Sequence, residues 1–275
     1  MHRTIYHYDR PVQLGPQCIR LRPLPDPRRA TTPFTLRIDP APLTLHWLND
    51  VLGNATARMT LAGRVEALSI EVGLQLDLTA RNPFDFVLDP SCATWPFTYD
   101  APDAAVLHLF LGAEPAGPLL QAMRDQTPEQ AETVSLLLSV GASVCEMVEY
   151  IVRMEPGVWS PEQTLQAKTG SCRDSAWLLV QLLRLHGIAA RFVSGYLVQT
   201  PDDAAENAEL HAWAEAYLPG AGWIGIDATS GLLTAAGHIA LAAAPEPDRA
   251  APLQGTVEPC AVRLETSMSV HRLAP

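Results

Sequence analysis

The first hundred residues alternate between apolar and polar positions at the spacing of β-strands. Apolar side chains recur at every second position over residues 34–38 and again over residues 68–78, which is the period of a strand with one buried face. Turn-forming pairs divide these runs at Asp39-Pro40 and Gly53-Asn54. The pattern predicts an antiparallel β-sandwich-like domain over residues 1–105.

From residue 106 onwards the apolar pattern takes the helical period. Thr127-Pro128-Glu129-Gln130 combines an N-cap, a proline at the first helical position and a capping-box glutamine, so it predicts a helix that runs to about Met154. Ser160-Pro161-Glu162-Gln163 repeats this signal for a short helix that ends at Gly170. The third helix, over residues 172–186, is apolar around most of its circumference and is therefore expected in the core.

Short apolar runs after the third helix predict the strands of a second sheet. They fall at residues 192–198, 211–218, 223–227, 239–243 and 261–270. Helices followed by strands indicate an α+β domain. We assign this second domain to residues 106–275, with a core at about 127–245 and its last strand at about 261–270.

Charge and composition narrow the kinds of partner. The 275 residues include 19 Lys and Arg against 30 Asp and Glu, a net charge of −11, whereas a protein that neutralises phosphate groups needs the opposite sign. We therefore expect neither nucleic acid nor an anionic membrane as a partner. The N-terminus carries no apolar signal segment, and the five cysteines include no Cys-x-x-Cys pair. These features predict a cytoplasmic protein with free thiols.

One cysteine lies at the first turn of a predicted helix, in Gly170-Ser171-Cys172-Arg173-Asp174. Unpaired N–H groups and the helix dipole favour a thiolate at that end, and the thiolate is the nucleophilic form of cysteine. The N–H of Cys172 is also a candidate oxyanion donor. Most cysteines are buried and inert, but this position makes Cys172 a candidate nucleophile.

A thiolate needs a proton partner, and His211 followed by Asp227 supplies a base and an orienting carboxylate. The hairpin between them decides whether they meet. A three-residue turn over residues 219–221 pairs Leu218 with Gly222 and puts His211 and Asp227 on one face of the sheet, one diagonal step apart. A four-residue turn separates them onto opposite faces. We predict the three-residue turn.

Other side chains are candidates for supporting roles. Trp213 and Trp223 are candidate substrate walls, although aromatic residues on strands are more often part of the core. Gly170 leaves room for a substrate backbone. Gln163 or Gln166, on the preceding helix, is a candidate second oxyanion donor.

These motifs, in this order, resemble the bacterial transglutaminase-like superfamily. The matching segments are Gly170-Ser171-Cys172-Arg173-Asp174, His211-Ala212-Trp213-Ala214-Glu215 and Gly222-Trp223-Ile224-Gly225-Ile226-Asp227. The first hundred residues are similar to the family's β-rich N-terminal region, through segments such as Tyr6-His7-Tyr8 and Ile19-Arg20-Leu21-Arg22-Pro23. The resemblance implies a papain-like α+β catalytic domain with Cys172, His211 and Asp227 as its triad.

The leading interpretation is a thiol-dependent enzyme that cleaves an amide in a peptide or protein through a thioester, a cysteine peptidase without cofactor or metal. A transglutaminase that passes the acyl group to an amine shares the first half-reaction, so product analysis must separate the two. A non-catalytic peptide-binding module is an alternative from another class. A metal site formed by Cys172, His211 and Asp227 is a weaker one, testable by metal analysis. The sequence indicates no oligomeric state.

Overall fold

The N-terminal region is a curled antiparallel β-sheet built around one long strand. The computed structural model describes residues 1–27, 29, 33–199 and 207–272. The N-terminal strands are β1 (His2–Ile19), β2 (Phe34–Asp39), β3 (Thr44–Asn49), β4 (Ala55–Thr60) and β5 (Arg64–Leu74). The first part of β1 pairs with β5 and its last part pairs with β4, while β2 and β3 extend the sheet at its two ends. The predicted antiparallel N-terminal fold is confirmed.

Five α-helices and four very short strands follow. They are β6 (Thr94–Trp95), α1 (Ala101–Leu111), α2 (Pro118–Arg124), β7 (Ala131–Glu132), α3 (Thr133–Met147), β8 (Glu149–Tyr150), α4 (Pro161–Ala167), β9 (Thr169–Gly170) and α5 (Cys172–Leu185). Helix α5 is buried along most of its length, as predicted, and Gly187 follows it with a positive φ of 73°.

The start predicted for α3 at Thr127 is wrong. The helix begins at Thr133, and the carboxylate of Glu132 caps it by accepting the N–H of Val134 and of Ser135. The physical reason is that Ala131 and Glu132 are extended and pair with β6. The start predicted for α4 is confirmed, because Ser160 and Gln163 form the capping box.

The second sheet has the order β13-β12-β11-β10-β14 and is antiparallel throughout. Its strands are β10 (Ala190–Gln199), β11 (Asn207–Leu218), β12 (Gly222–Asp227), β13 (Leu232–Leu233) and β14 (His238–Ala244). Small side chains on β11, from Ala212 to Ala216, share a buried apolar cluster with α5. Leu218 pairs with Gly222 and Ala214 with Ile226, so the predicted three-residue turn is confirmed.

The chain ends in the sheet where it began. The last two strands, β15 (Leu253–Val257) and β16 (Val262–Met268), pair with β1. The strand that the sequence analysis placed in the second domain therefore lies in the N-terminal sheet. The two regions also share an apolar cluster, in which Tyr196 and Ile239 of the second sheet join Ile19 and Leu68.

The predictions on thiols and compartment have different outcomes. All five cysteines carry free thiols, as predicted. Within the described ranges no helix is both long and apolar enough to cross a membrane. The cytoplasmic location stays a prediction.

Candidate functional site

Cys172 is the first residue of α5 and is partly exposed. Ser171 caps this helix, and the carboxylate of Asp174 in turn accepts the N–H and the hydroxyl of Ser171, at 2.9 and 2.6 Å. The first N–H groups of a helix have no intrahelical acceptor, so the backbone around Cys172 presents partial positive charge to its thiol. Cys172 therefore lies at the helix start that the sequence predicted for it.

A buried ion pair fixes the start of α5 to the segment that precedes it. Asp174 is fully buried, and Arg153 donates to its two oxygens at 3.0 and 2.8 Å. The N–H of Trp159 donates to the same carboxylate at 2.8 Å. With the two bonds from Ser171, five donors surround one side chain. The cysteine therefore projects from a rigidly held helix end.

His211 connects Asp227 with the side of the site where Cys172 lies. Its Nε2 is 3.0 Å from Asp227 Oδ2, and both side chains are buried. Its Nδ1 has no hydrogen-bond partner among the described residues, and Cys172 lies close enough to this ring to affect its pKa. Burial alone would lower the pKa of His211, but hydrogen bonding to and charge on Asp227 and Cys172 outweigh it and raise the pKa to about 10.

Asp227 accepts four hydrogen bonds, two on each carboxylate oxygen. The N–H and the hydroxyl of Thr229 donate to Oδ1 at 2.9 and 2.8 Å. His211 and His238 are both bonded to Oδ2, His238 at 3.1 Å. Burial would raise the pKa of Asp227, yet these bonds outweigh it and hold the pKa far below its ordinary range. The carboxylate therefore stays ionised beside His211.

Two predicted substrate-binding residues are explained by packing inside the protein. Trp213 is only 2% exposed, and its ring packs against those of His211 and His238. It supports the two histidines from within the protein, and its role as a substrate wall stays a prediction. Gly170 is buried, and a Cβ there would meet Asp174 and Thr164 at 3.2 and 3.3 Å. The glycine therefore permits close packing of the chain itself, and its contact with a substrate stays a prediction.

The remaining predicted site residues are Trp223, Gln163 and Gln166. Trp223 packs against Phe110 and Tyr217, and the guanidinium of Arg191 lies 4.2 Å from the centre of its ring. Trp223 is half-buried, and its role as a substrate wall stays a prediction. The side-chain oxygen of Gln163 accepts the N–H of Ser160 in the capping box. An oxyanion role would use the amide N–H groups of this side chain, and it stays a prediction. Gln166 is exposed on α4, and its oxyanion role stays a prediction.

Sequence reasoning missed two residues beside the thiol. Glu209 Oε1 lies 3.8 Å from His211 Nδ1, with the side chain 45% exposed. Tyr150 has a raised pKa because of burial and, to a smaller extent, the nearby charges of Cys172 and Glu209. The strand period could have identified Glu209, since residues two apart on a strand share a face. Nothing in the sequence around Tyr150 points to the site.

Replacing Glu209 with glutamine is expected to change how the thiol discriminates between charged reagents. A carboxylate near the thiol repels an anion in water by about 0.7 kcal/mol at roughly 6 Å, which corresponds to a factor of about three in rate. The ratio of Cys172 alkylation rates with iodoacetate and iodoacetamide should therefore rise about threefold in the variant. The matched control is Glu66→Gln, which removes an exposed charge on β5. An equal ratio in both variants would remove Glu209 from the approach to Cys172.

Three side chains of the site lie close enough to suggest a metal centre. Ligand atoms of His211, Asp227 and His238 are all within 4.8 Å of one another. A metal-binding imidazole normally donates its second N–H to a neighbour. Nδ1 of His238 instead accepts the N–H of Ala235 at 3.1 Å, so Nε2 must carry the proton of the neutral ring. The donor set fits a chain of hydrogen bonds and does not fit a metal ion.

Comparison with known proteins agrees with the motifs. Residues 121–228 match the model of the transglutaminase-like superfamily, and residues 1–77 match that of the bacterial transglutaminase-like N-terminal region. An uncharacterized protein of Mycobacterium tuberculosis is 24% identical over 270 residues, which cover 93% of this chain and 86% of that protein. The uncharacterized protein YebA of Bacillus subtilis is 33% identical over 75 residues, 24% of this chain and 10% of that protein.

Among solved structures, one named "Putative Cysteine Protease" from Cytophaga hutchinsonii has a TM-score of 0.66 at 20% identity, over 100% of this chain and 91% of that one. At this identity the likeness shows the fold, and the predicted α+β fold with a transglutaminase-like domain is confirmed. The chain carries a transglutaminase-like superfamily core behind a bacterial transglutaminase-like N-terminal region, as its motifs predicted.

Proposed function

We propose that this protein is a thiol-dependent enzyme that cleaves an amide bond, a cysteine peptidase with Cys172 as nucleophile, His211 as acid and base, and Asp227 as the orienting group. The observation that supports it most is the position of His211. Its Nε2 is bonded to Asp227 at 3.0 Å, its Nδ1 has no hydrogen-bond partner among the described residues, and Cys172 contributes to the raised pKa of the same ring. These features support the nucleophile, base and orienter arrangement of acyl transfer.

In the first half-reaction the Cys172 thiolate attacks the substrate carbonyl carbon. The backbone N–H of Cys172 donates to the oxygen on which negative charge develops. The imidazolium of His211 then gives its Nδ1 proton to the leaving nitrogen, the carbon–nitrogen bond breaks, and a thioester on Cys172 remains. In the second half-reaction Nδ1 takes a proton from water, the oxygen attacks the thioester, and the carbon–sulfur bond breaks to release the acid.

The acyl-enzyme provides the direct test of this proposal. Incubation with p-nitrophenyl acetate should leave an acetyl group on the peptide that contains Cys172, detected by mass spectrometry after quenching in acid. Cys172→Ser serves as the control for acetylation elsewhere. Acetylation spread equally over the five cysteines, or unchanged in His211→Ala, would contradict the proposed chemistry.

Transfer of the acyl group to an amine is the second candidate, and Glu209 favours it. Its half-exposed carboxylate beside His211 attracts cationic amines to the thioester. A glutamine peptide incubated with and without cadaverine separates the two reactions, because hydrolysis gives the acid and transfer gives the substituted amide. Amide product that falls in Glu209→Gln would support transfer, whereas acid as the sole product would support the peptidase.

A further inference from the structure

His238 reaches Asp227 from the far edge of the second sheet. It begins β14, which pairs with β10, so β10 and β11 lie between it and β12, which ends in Asp227. Gly195 on β10 makes this approach feasible, since a side chain there would overlap the ring of Trp213. That ring instead packs edge-on against His238, with centroids 5.3 Å apart. The glycine and the tryptophan together hold the imidazole in the site.

The backbone sets the tautomer of His238. The N–H of Ala235 can act only as a donor, and it donates to Nδ1 at 3.1 Å. A neutral imidazole that accepts at one nitrogen carries its proton on the other. The proton therefore lies on Nε2, which is 3.1 Å from Asp227 Oδ2 and donates to it. His238 is a neutral hydrogen-bond donor of fixed direction.

This donor completes the surroundings of Asp227. Thr229 holds Oδ1 through two bonds, and without His238 the bond to His211 would be the remaining one on Oδ2 among the described side chains. With it, both oxygens are restrained, and the carboxylate cannot rotate away from His211. Asp227 Oδ2 is thus bonded to two rings. His211 must transfer protons in the proposed reaction, whereas the proton of His238 stays on Nε2.

We propose that His238 is a positioning residue that holds Asp227 Oδ2 in the direction His211 requires. This inference rests on the proposed function, because it assigns His238 an effect on the reactivity of Cys172 through two intervening side chains. The charged and titratable groups around the His211 ring are Cys172, Glu209, Asp227 and His238 itself, whose ring centroid lies 6.1 Å away. Of these groups, His238 is hydrogen-bonded to Asp227.

A matched pair of substitutions at residue 238 tests this role. The oxygen of asparagine can take the place of Nδ1 and keep the bond from Ala235, but its side chain is too short to donate to Asp227. The amide nitrogen of glutamine can take the place of Nε2 and keep that donor. We expect His238→Asn to lower the alkylation rate of Cys172 at pH 6 about tenfold and to shift its pH profile towards that of His211→Ala. His238→Gln should keep most of the wild-type rate.

The outcomes separate this inference from the proposed function. Equal rates for His238→Asn and wild type would overturn the positioning role, as would an equal loss in the two variants. Thermal unfolding of both variants shows whether the comparison is made on folded protein. His238→Gln is the matched control because it retains a polar side chain of similar reach. If His211→Ala itself reacts like the wild type, the proposed triad fails, whatever the variants of residue 238 show.

Discussion

Replacing His211 with alanine is expected to lower the rate of Cys172 alkylation at pH 6 by a factor on the order of 100. An ordinary thiol, with a pKa of about 8.5, is ionised to roughly one part in 300 at that pH. In the wild type His211 is an imidazolium at that pH, because hydrogen bonding to and charge on Asp227 and Cys172 outweigh burial and raise its pKa to about 10. The proposed function requires that this cation stabilise a thiolate on Cys172, and the variant lacks the cation.

The pH dependence of the Cys172 alkylation rate is a second test of the same prediction. His211 keeps its proton until about pH 10. If the proposed ion pair keeps Cys172 ionised, the wild-type rate is nearly flat between about pH 6 and 8, whereas the rate of an isolated thiol rises about tenfold per pH unit in that range. The measurement is iodoacetamide labelling followed by mass spectrometry, with Cys18, Cys92, Cys145 and Cys260 as internal references. It requires no knowledge of the substrate.

The control for this experiment is a histidine outside the site. His46 is exposed on β3, and His46→Ala should leave the profile of Cys172 unchanged. A wild-type profile that rises with pH like those of the other cysteines would show that no thiolate–imidazolium pair forms. The chain would then be better described as a peptide-binding module with the fold of the superfamily.

The sequence predicted those parts of the site whose geometry is set locally. The start of α5 follows from Gly170 to Asp174, and the turn at residues 219–221 sets the register that brings Asp227 to His211. Both depend on residues that are neighbours along the chain or across one hairpin. Their periodicity and turn lengths are visible in the sequence.

Partners from distant segments could not be predicted in this way. His238 reaches Asp227 across two intervening strands, and Arg153 reaches Asp174 from the segment before α4. The pairing of β16 with β1 joins the two ends of the chain. The surroundings of Trp213 could not be predicted for the same reason, because an aromatic side chain on a strand fits a substrate wall or a core equally well until the rings packed against it are known.

The second large effect is expected from Asp174→Ala, which should lower the free energy of unfolding by about 3–5 kcal/mol. The substitution leaves the buried guanidinium of Arg153 without its counter-ion and removes the acceptor of the N–H groups of Trp159 and Ser171. Urea unfolding followed by circular dichroism measures the change. Asp125→Ala is the matched control, because its ion pair with Arg124 is exposed and should contribute no more than about 1 kcal/mol. Equal losses in the two variants would contradict a structural role for the buried pair.

The stability difference between the wild type and Asp174→Ala is expected to depend on pH in one direction. Burial would raise the pKa of Asp174, but hydrogen bonds from Arg153, Ser171 and Trp159 outweigh it and hold the pKa below its ordinary value. A carboxyl whose pKa is lowered by folding contributes stability that is present above its unfolded pKa, about 3.9, and is lost as the pH falls through its folded pKa. The difference should therefore be constant from about pH 5 to 7 and shrink below about pH 4. A difference that persists down to acid unfolding would assign the loss to the cavity left by the side chain instead of to its charge.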